Sequence, residues 1–440
     1  MELSEEQQTV FECFKQRENV FMTGPGGSGK SFLIKLIYDW CKENNREIQV
    51  CALTGCAAVL LQCRAKTVHS WAGIGIANGE AIDIIMRVAN NKFKKKNWMF
   101  TDVLIIDEVS MMSAKLLGIL DGIGKKVRRN DKPFGGIQLL FSGDFYQLPP
   151  VGSNDDKESS QFCFENPIWD TIFHKQIALT KIYRQNDETY ASILNQIREG
   201  KLNKSAFTQL QSRLIECSDE IIKPTKLMPR RFDVNKINET EMKKLQTEEN
   251  EYIMQVAERQ LFNLTPEQLF QLNRASPQQI DYELENIRAS IMPDEKIILK
   301  VGAQVMCVVN LDTEIENPII NGSCGVVTGF NNEFPIVKFK NGNSRMISHH
   351  VWESEHIKGV GIKQLPLILA WAITIHKAQG ATLEMAEIDI GTGIFECGQS
   401  YVALSRVKDI SGLYLTAFNP NKIKVSKKVK EYYANKFKII

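Results

Sequence analysis

Short, continuous apolar runs alternate with segments of helical periodicity over the first 180 residues. Continuous runs, unlike alternating ones, are typical of parallel strands that are buried on both faces of a sheet. The pattern therefore predicts an α/β domain with a doubly wound parallel sheet over residues 1–180. The strands it predicts are residues 19–24, 48–54, 102–107, 137–142 and 176–180.

The second half of the chain changes character twice. Helical patterns dominate from about residue 187 to 294, with the short strands TKLMP and EYIMQV among them. Val- and Ile-rich segments then follow, separated by Asn and Gly turns, which predict a small antiparallel barrel. The α/β pattern returns at LPLILAWAITIHKAQG and ends in a Lys-rich helical tail. We therefore predict a second α/β domain made of residues 181–300 and 361–440, with the barrel, residues 301–360, inserted into it.

Composition places the chain among soluble globular proteins. Its 440 residues are 43% hydrophobic and 24% charged, which excludes disordered, collagen-like and small disulfide-rich classes. The apolar runs are shorter than the ~18–20 residues that cross a bilayer, and the acidic start of the chain is not a secretory signal. Ten cysteines, mostly in apolar stretches, indicate a reducing intracellular compartment, nuclear or cytoplasmic. The formal charge is only +2, so binding of nucleic acid would need a local groove.

The segment GPGGSGKS lies between the first predicted strand and a helix. It matches GxxxxGK[ST], the pattern of a phosphate-binding loop. In such a loop, backbone N–H groups surround the β-phosphate at a helix N-terminus, the lysine reaches the β- and γ-phosphates, and the hydroxyl ligates Mg²⁺. The predicted site for a nucleoside triphosphate with Mg²⁺ contains Gly24, Gly26, Gly27, Ser28, Gly29, Lys30 and Ser31.

Two further segments follow predicted strands, at the sheet edge where ligands bind. Asp107 ends a strand, as the carboxylate behind a bound Mg²⁺ must, and Glu108 is the candidate base that activates water. Taken alone, this Asp-Glu pair could instead cap a helix. Gln147, in the loop GDFYQLPP, is a candidate γ-phosphate sensor. That loop could equally be a rigid surface turn.

Arg184 and Arg406 lie far along the chain from the phosphate-binding loop. An arginine that reaches the phosphates stabilises charge on the transferring phosphoryl group. For either arginine alone, a surface ion pair is the alternative. The sequence that surrounds each arginine nevertheless makes both of them candidate catalytic residues.

Several longer motifs stand in a fixed order along the chain. They are LSEEQ, GPGGSGKS, ALTGCAA, TVHSWAGIG, LIIDEVSMM, KPFGGIQLLFSGDFYQLPPV, YRQND, LAWAITIHKAQGATLE and GQSYVALSRV. In order, spacing and wording they resemble the Pif-type (petite integration frequency) branch of superfamily 1B helicases, which is related to the RecD and Dda motors.

The resemblance implies two RecA-like motor domains that use ATP and move 5′ to 3′ on single-stranded DNA, with an inserted Src-homology-3-like barrel. It implies that Gln7 reads the adenine and that Arg184 and Arg406 are arginine fingers. Gly380 and Glu384 are also predicted to contact the nucleotide. The segments that line the DNA track in this family include Thr54, Ala57, His69, Ser70, Thr374, His376 and Lys377.

A basic and aromatic segment lies within residues 72–100. Cations that hold phosphate and aromatic rings that stack on bases would form a strand-separating wedge, with Phe93 and Trp98 as DNA contacts. A solvated basic helix is the alternative. For the lysines of the tail, residues 422–438, we favour solubility over DNA binding.

Together these observations predict an ATP-dependent 5′-to-3′ DNA helicase. Its partners would be single-stranded and duplex or forked DNA, in replication, repair or recombination, and it would act as a monomer. Two alternatives stay open: a superfamily 1 RNA helicase, and a P-loop ATPase switch that acts through protein partners. Stimulation of the ATPase by DNA, by RNA or by neither distinguishes the three.

Overall fold

The computed structural model describes residues 3–61, 63–75, 77, 79–152, 156–184, 187–217, 222–311, 318–354, 357–391 and 393–437. The chain forms two compact units. Unit 1 comprises residues 1–210, 394–410 and 419–440, and unit 2 comprises residues 211–393 and 411–418. In the described ranges, no helix combines the length and the apolar character needed to span a membrane.

The helices are α1 Glu5–Lys15, α2 Lys30–Glu43, α3 Gly55–Leu60, α4 Val68–Ala72, α5 Ala81–Asn90, α6 Lys94–Phe100, α7 Ala114–Arg128, α8 Lys157–Ser160, α9 Ile168–Ile172, α10 Glu188–Arg198, α11 Lys204–Gln211, α12 Arg231–Lys244, α13 Pro266–Arg274, α14 Pro277–Ser290, α15 Gln399–Leu404 and α16 Lys427–Lys436. Short 3-10 turns lie at Val109–Met111, Pro133–Gly136, Cys163–Glu165, Arg259–Leu261, Ile410–Gly412 and Pro420–Lys422.

The strands are β1 Val20–Thr23, β2 Ile48–Ala52, β3 Lys66–Thr67, β4 Val103–Asp107, β5 Gln138–Gly143, β6 Lys175–Ala178, β7 Thr225–Met228, β8 Asn250–Ile253, β9 Gln255–Val256, β10 Lys296–Leu299, β11 Gln304–Cys307, β12 Cys324–Asn331, β13 Phe334–Phe339, β14 Ser344–Met346, β15 His350–Glu353, β16 Gly361–Gln364, β17 Leu367–Leu369, β18 Ala372–Thr374, β19 Ala386–Ile390 and β20 Leu413–Phe418.

Unit 1 is built on a parallel sheet in the order β3-β2-β4-β5-β1-β6. Every residue of β1, β4 and β5 is buried. Along β1, Phe21 packs into one apolar cluster with Phe141, whereas Val20 and Met22 pack into a second cluster that includes Leu33. Alternate side chains of a strand point to opposite faces, so both faces of this sheet are covered. The prediction of parallel strands buried on both faces is confirmed.

The order of the central strands decides where the site lies. Strands β4, β5 and β1 are neighbours, and in a parallel sheet their carboxyl ends meet at one edge. The segments that follow Thr23, Asp107 and Gly143 are therefore brought together. These segments carry the phosphate-binding loop, the Asp-Glu pair and the GDFYQLPP loop.

The C-terminal helix α16 belongs to unit 1. Its Val429, Tyr432 and Tyr433, which lie on one face of the helix, are buried in the same apolar cluster as Phe21. Lys428 and Lys436 lie on the outside and form ion pairs with Glu165 and Asp170. The lysines are exposed, as the solubility interpretation expects, but the helix also completes the core.

The two compact units do not coincide with the predicted boundary at residue 180. Residues 181–210, 394–410 and 419–440, which were predicted to belong to the second α/β domain, pack with the first sheet. The physical reason is that α10, α15 and α16 place buried polar and aromatic side chains against it, as described below.

Unit 2 contains a second parallel sheet in the order β18-β7-β19-β20. A five-stranded antiparallel sheet, β14-β13-β12-β11-β17, covers much of the region predicted as a barrel. Its apolar face contains Val305, Val327 and Val337. The α/β class with parallel sheets and an inserted antiparallel region is therefore confirmed.

Candidate functional site

The phosphate-binding loop connects β1 to α2. Gly27 and Gly29 have φ angles of 85° and 82°, which glycine adopts without strain. A Cβ atom at Gly27 would lie 2.4 Å from Cβ of Arg184, and one at Gly29 would lie 2.5 Å from Nε2 of Gln7. Glycine is required at both positions because these two neighbours approach the loop so closely.

Lys30 is the first residue of α2 and is buried. Its Nζ donates to the carbonyl oxygens of Gly24, at 2.8 Å, and Pro25, at 3.0 Å. Burial lowers the pKa of Lys30, and the carboxylates of unit 1, Asp144 first among them, oppose this shift. The ammonium group is thus held at the loop by carbonyl oxygens.

Asp107 and Glu108 lie where β4 ends. Burial, and next the charge of Glu108, raises the pKa of Asp107 to about 6. Glu108 has φ 57° and ψ 38°, a left-handed conformation that costs a non-glycine residue about 1–2 kcal/mol. It precedes the 3-10 turn Val109–Met111 but forms no side-chain capping bond to it, which contradicts the helix-cap alternative. Strained backbone of this kind is concentrated at functional sites.

Two buried oxygens at this edge, Oδ1 of Asp107 and Oγ of Ser28, have no hydrogen-bond partner among the residues that the structure describes. Buried polar atoms in folded proteins nearly always have one. A carboxylate oxygen suits Mg²⁺, and a hydroxyl suits a phosphate oxygen. With the exposed Ser31 hydroxyl next to Lys30, these donors and acceptors fit a Mg²⁺-bound nucleotide.

Gln147 lies in a buried loop. Its backbone N–H donates to the carbonyl of Asp144 at 2.8 Å, and Phe145, Tyr146 and Leu148 are buried around it. The structure therefore contradicts the alternative of a surface turn.

Arg184 and Arg406 both approach the phosphate-binding loop. Nη1 of Arg184 and Nη2 of Arg406 each lie 3.7 Å from the position of a Cβ atom on Gly26. Arg406 is buried and donates to the carbonyl of Val402 and to Oγ of Ser405 at 2.9 and 2.7 Å. Burial, and next the charge of Arg184, lowers the pKa of Arg406 to about 10. Two cations brought together in a buried place favour an anion between them.

Gln7, the predicted adenine reader, also reaches this loop. It is buried in the first turn of α1, where Ser4 and Gln7 form a capping box. Its Nε2 donates to the carbonyl of Ser28 at 3.4 Å. The position beside the loop is clear, and the adenine contact stays a prediction.

Asp144 and Arg198 form a buried ion pair that the sequence did not point to. Nε and Nη2 of Arg198 donate to the two carboxylate oxygens at 2.8 and 2.9 Å. The guanidinium group lies over the ring of Tyr146, 4.5 Å from its centroid. The Tyr433 hydroxyl donates to Oδ1 of Asp144 at 3.3 Å and is hydrogen-bonded to Oγ1 of Thr23 at 2.5 Å.

The predicted DNA-contacting residues of unit 1 occupy structural positions at helix starts. Thr54 caps α3, because its Oγ1 accepts a hydrogen bond from the N–H of Ala57 at 3.2 Å. Oγ1 of Thr67 caps α4 by accepting from the N–H of Ser70 at 3.2 Å. Burial lowers the pKa of His69, so its imidazole is neutral at pH 7. Their contact with DNA stays a prediction.

The structure contradicts the prediction that Trp98 stacks on DNA bases. The side chain is fully buried, lies 4.5 Å from the ring of Trp71, and donates its indole N–H to the carbonyl of Ala72 at 3.2 Å. A buried ring has no face open to a base. Phe93 is 58% exposed, so its role as a DNA contact stays a prediction.

The remaining predicted residues belong to unit 2. Thr374 ends β18, at the carboxyl edge of the second parallel sheet, and its Oγ1 accepts from the N–H of Lys377 at 3.1 Å. His376, Gly380 and Glu384 follow on the same connection. This edge is where ligands bind to parallel sheets, and their contacts with DNA or nucleotide stay predictions.

Comparisons with known proteins agree with this arrangement. A family model described as PIF1-like helicase matches residues 2–208, and a model described as DNA helicase Pif1, 2B domain, matches residues 283–330. The ATP-dependent DNA helicase PIF1 of Homo sapiens is 33% identical over an alignment of 439 positions, which covers 98% of this chain and 64% of that protein. The chain therefore spans less than two thirds of the length of this relative.

Solved structures match over nearly the full chain. The Pif1 helicase from Candida albicans is 32% identical, with a TM-score of 0.75 and coverage of 99% of both chains. The Pif1 helicase from Bacteroides in complex with ADP-AlF3 and ssDNA is 27% identical, with a TM-score of 0.66 and coverage of 99% of this chain and 98% of that one. The resemblance predicted from the motifs is confirmed, and the chain belongs to the PIF1-like helicase family.

Proposed function

We propose that this chain is an ATP-dependent DNA helicase that moves 5′ to 3′ on single-stranded DNA. The observation that carries the hydrolytic part is the convergence of Lys30, Arg184 and Arg406 on the phosphate-binding loop, beside the partnerless oxygen of Asp107. Family membership, and a Bacteroides relative crystallised with ssDNA, support DNA as the polymer.

Each of the side chains at the loop has a distinct role in hydrolysis. Lys30 binds the β- and γ-phosphates, and Arg184 and Arg406 stabilise the negative charge on the transferring phosphoryl group. Glu108 orients the attacking water and accepts its proton. Gln147 contacts the γ-phosphate and the same water, from a loop that burial keeps rigid.

Mg²⁺ would be held by the Ser31 hydroxyl directly and by Asp107 through water. When bound, it neutralises charge between the β- and γ-phosphates. Its charge would also lower the raised pKa of Asp107 and so stabilise the ionised carboxylate. The negative charge of Asp107, next to the proposed base Glu108, would then be offset by the charge of Mg²⁺.

The proposal extends to the DNA track. Thr54, Ala57, His69 and Ser70 of unit 1 would contact the strand, and Thr374, His376 and Lys377 of unit 2 would do the same. Phe93, which is exposed, would take part in strand separation. We propose a monomeric motor that acts in replication, repair or recombination.

The proposed direction of movement rests on the residues of the motifs TVHSWAGIG and KPFGGIQLLFSGDFYQLPPV, which resemble those of the 5′-to-3′ branch. The test compares duplexes that carry only a 5′ or only a 3′ single-stranded tail, at the same salt and ATP concentrations. We expect unwinding from the 5′ tail alone. Unwinding only from the 3′ tail would overturn the polarity and leave the helicase proposal standing.

The polymer is tested by the ATPase rate with single-stranded DNA, with RNA of the same sequence and with neither. We expect stimulation by DNA. Stimulation by RNA alone would favour an RNA helicase, and a rate that neither polymer changes would favour a switch that acts through protein partners. Binding should weaken steeply with salt, because phosphate contacts dominate affinity in a nearly neutral protein.

A further inference from the structure

Tyr401 is a buried tyrosine near the start of α15 whose hydroxyl reaches the phosphate-binding loop. The hydroxyl oxygen accepts a hydrogen bond from the backbone N–H of Gly26 at 2.9 Å. Tyr401 lies in the motif GQSYVALSRV, from which no role was predicted for it. A side chain that lies 375 positions away along the chain therefore closes on the loop that binds phosphate.

Three side chains meet at this point of the loop. The Tyr401 hydroxyl, Nη1 of Arg184 and Nη2 of Arg406 each lie 3.7 Å from the position of a Cβ atom on Gly26. The two guanidinium groups can only donate hydrogen bonds. Nη1 of Arg184 and Nη2 of Arg406 donate to the carbonyl and the hydroxyl of Ser405 at 3.4 and 2.7 Å, and each of these nitrogens carries a second hydrogen. The place is therefore rich in donors and suits a ligand that offers several acceptor oxygens.

The chemistry of the phenol fits such a ligand. A hydroxyl that accepts one hydrogen bond still has its own proton to donate. Burial, and next the charge of Asp144, raises the pKa of Tyr401 to about 12. The group therefore keeps its proton at neutral pH and acts as a donor without adding charge beside the two arginines.

We propose that Tyr401 contacts the γ-phosphate of the bound nucleotide, donating its O–H to the transferring phosphoryl group while it holds the N–H of Gly26. This inference rests on the proposed function, in which the loop binds ATP. Because Arg184 and Arg406 are proposed to face the transferring phosphoryl group, which a diphosphate lacks, a donor beside them would distinguish a triphosphate from a diphosphate. Tyr401 would then complete a set of three donors with Arg184 and Arg406.

A purely structural role makes a different prediction. If the hydroxyl served only to support the loop, its removal would weaken the binding of ADP and of a triphosphate equally. If instead the hydroxyl competed with phosphate for Gly26, its removal would tighten binding of the triphosphate.

The experiment uses Tyr401→Phe in the full chain, with Tyr432→Phe as the matched control. Tyr432 is also a buried tyrosine of unit 1, but its hydroxyl bonds to Trp169 and Gln176. Dissociation constants are measured with Mg²⁺ for AMP-PNP and for ADP, and again for ADP with aluminium fluoride. For Tyr401→Phe we expect AMP-PNP and the fluoride complex to bind about tenfold more weakly, as loss of a hydrogen bond to a charged group predicts, and ADP to change less than twofold.

Equal weakening of AMP-PNP and ADP, tighter binding of AMP-PNP, or no change in either would overturn the proposal. The thermal unfolding transition of Tyr401→Phe, measured without nucleotide, shows whether the variant is folded, and the ratio of the two affinities is read only from folded protein. Wild-type protein in the same series tests the proposed function. If it does not bind AMP-PNP, the function fails; if it binds and hydrolyses ATP but Tyr401→Phe keeps its preference for the triphosphate, only the inference fails.

Discussion

Two arginines of unit 1, the partly buried Arg198 and the buried Arg406, show opposite electrostatic behaviour. Burial alone would lower the pKa of Arg198, but the carboxylate of Asp144 outweighs burial and raises it. For Arg406, burial and the neighbouring Arg184 both lower the pKa, to about 10. The protein itself supplies the partner that stabilises the charge of Arg198. The charge of Arg406 is placed where another cation opposes it.

The same contrast holds for the oxygen atoms of two regions: the surroundings of Asp144 and the phosphate-binding loop. The Asp144 carboxylate accepts from Arg198, from the Tyr433 hydroxyl and from the N–H of Tyr146. At the phosphate-binding loop, Oδ1 of Asp107 and Oγ of Ser28 have no partner within the described part of the chain. The polar groups of the first region are paired within the folded chain. Those of the second would be paired by the proposed nucleotide and Mg²⁺.

The largest expected effect comes from Lys30→Ala, in the region that a ligand completes. Removing this cation should reduce ATP hydrolysis on the order of 100-fold or more, since it faces the phosphates. The thermal midpoint should stay the same or rise, because burial disfavours the ammonium. The ATPase rate and the unfolding transition check this together. A large loss of stability would instead give Lys30 a structural role and weaken the comparison.

Arg198→Met tests the region that is complete by itself. It leaves the Asp144 carboxylate buried without its ion-pair partner, which should cost about 3–5 kcal/mol of unfolding free energy. Adding Asp144→Asn should recover part of the loss, because the buried charge is then gone. Urea unfolding of wild type, both single variants and the double variant measures the coupling. Additive effects would show that the pair is not the source of stability.

The pH dependence of stability examines Asp107. Its folded pKa of about 6 lies above its ordinary value of 3.8, so the folded state holds a proton that the unfolded state has lost between these values. The free energy of unfolding should therefore fall as pH rises from about 4 to about 6. Asp107→Asn should lack this component and exceed wild type at pH 7 by on the order of 3 kcal/mol. If, without nucleotide, the unfolding free energies of wild type and Asp107→Asn changed equally with pH, the raised pKa of Asp107 would be contradicted.

The smallest expected effect comes from the neighbouring tyrosines of α16. Tyr433→Phe loses hydrogen bonds to Thr23, Asp144 and the N–H of Phe145, all of them buried. It should cost about 1–3 kcal/mol. Tyr432→Phe should cost less, because it loses two hydrogen bonds instead of three: one from the buried indole N–H of Trp169, and one to the partly buried amide oxygen of Gln176 that water can replace. Denaturant midpoints compare them, and a larger loss for Tyr432→Phe would reverse this order.

Local patterns were sufficient for much of the molecule. The apolar runs predicted the parallel strands, and the spacing of GPGGSGKS predicted a loop that the structure places between β1 and α2. The apolar run that ends at Asp107 predicted this residue at a strand end, and the run over residues 137–142 predicted Gln147 on the loop that follows a strand. The same reasoning failed at Trp98, because the basic residues around it, KKKNWMF, suggest a surface, whereas the ring fills a space beside Trp71 that is only visible in three dimensions.

The amino-acid sequence by itself therefore determined the strands, the phosphate-binding loop and the family, since each depends on residues close together in the chain. Only the tertiary structure decided which distant side chains meet. Asp144 and Arg198 are 54 positions apart, Asp144 and Tyr433 are 289 apart, and Gly26 and Tyr401 are 375 apart. Such pairs leave no local pattern, because their geometry follows from the strand order of the sheet and from helices that return to it at the end of the chain.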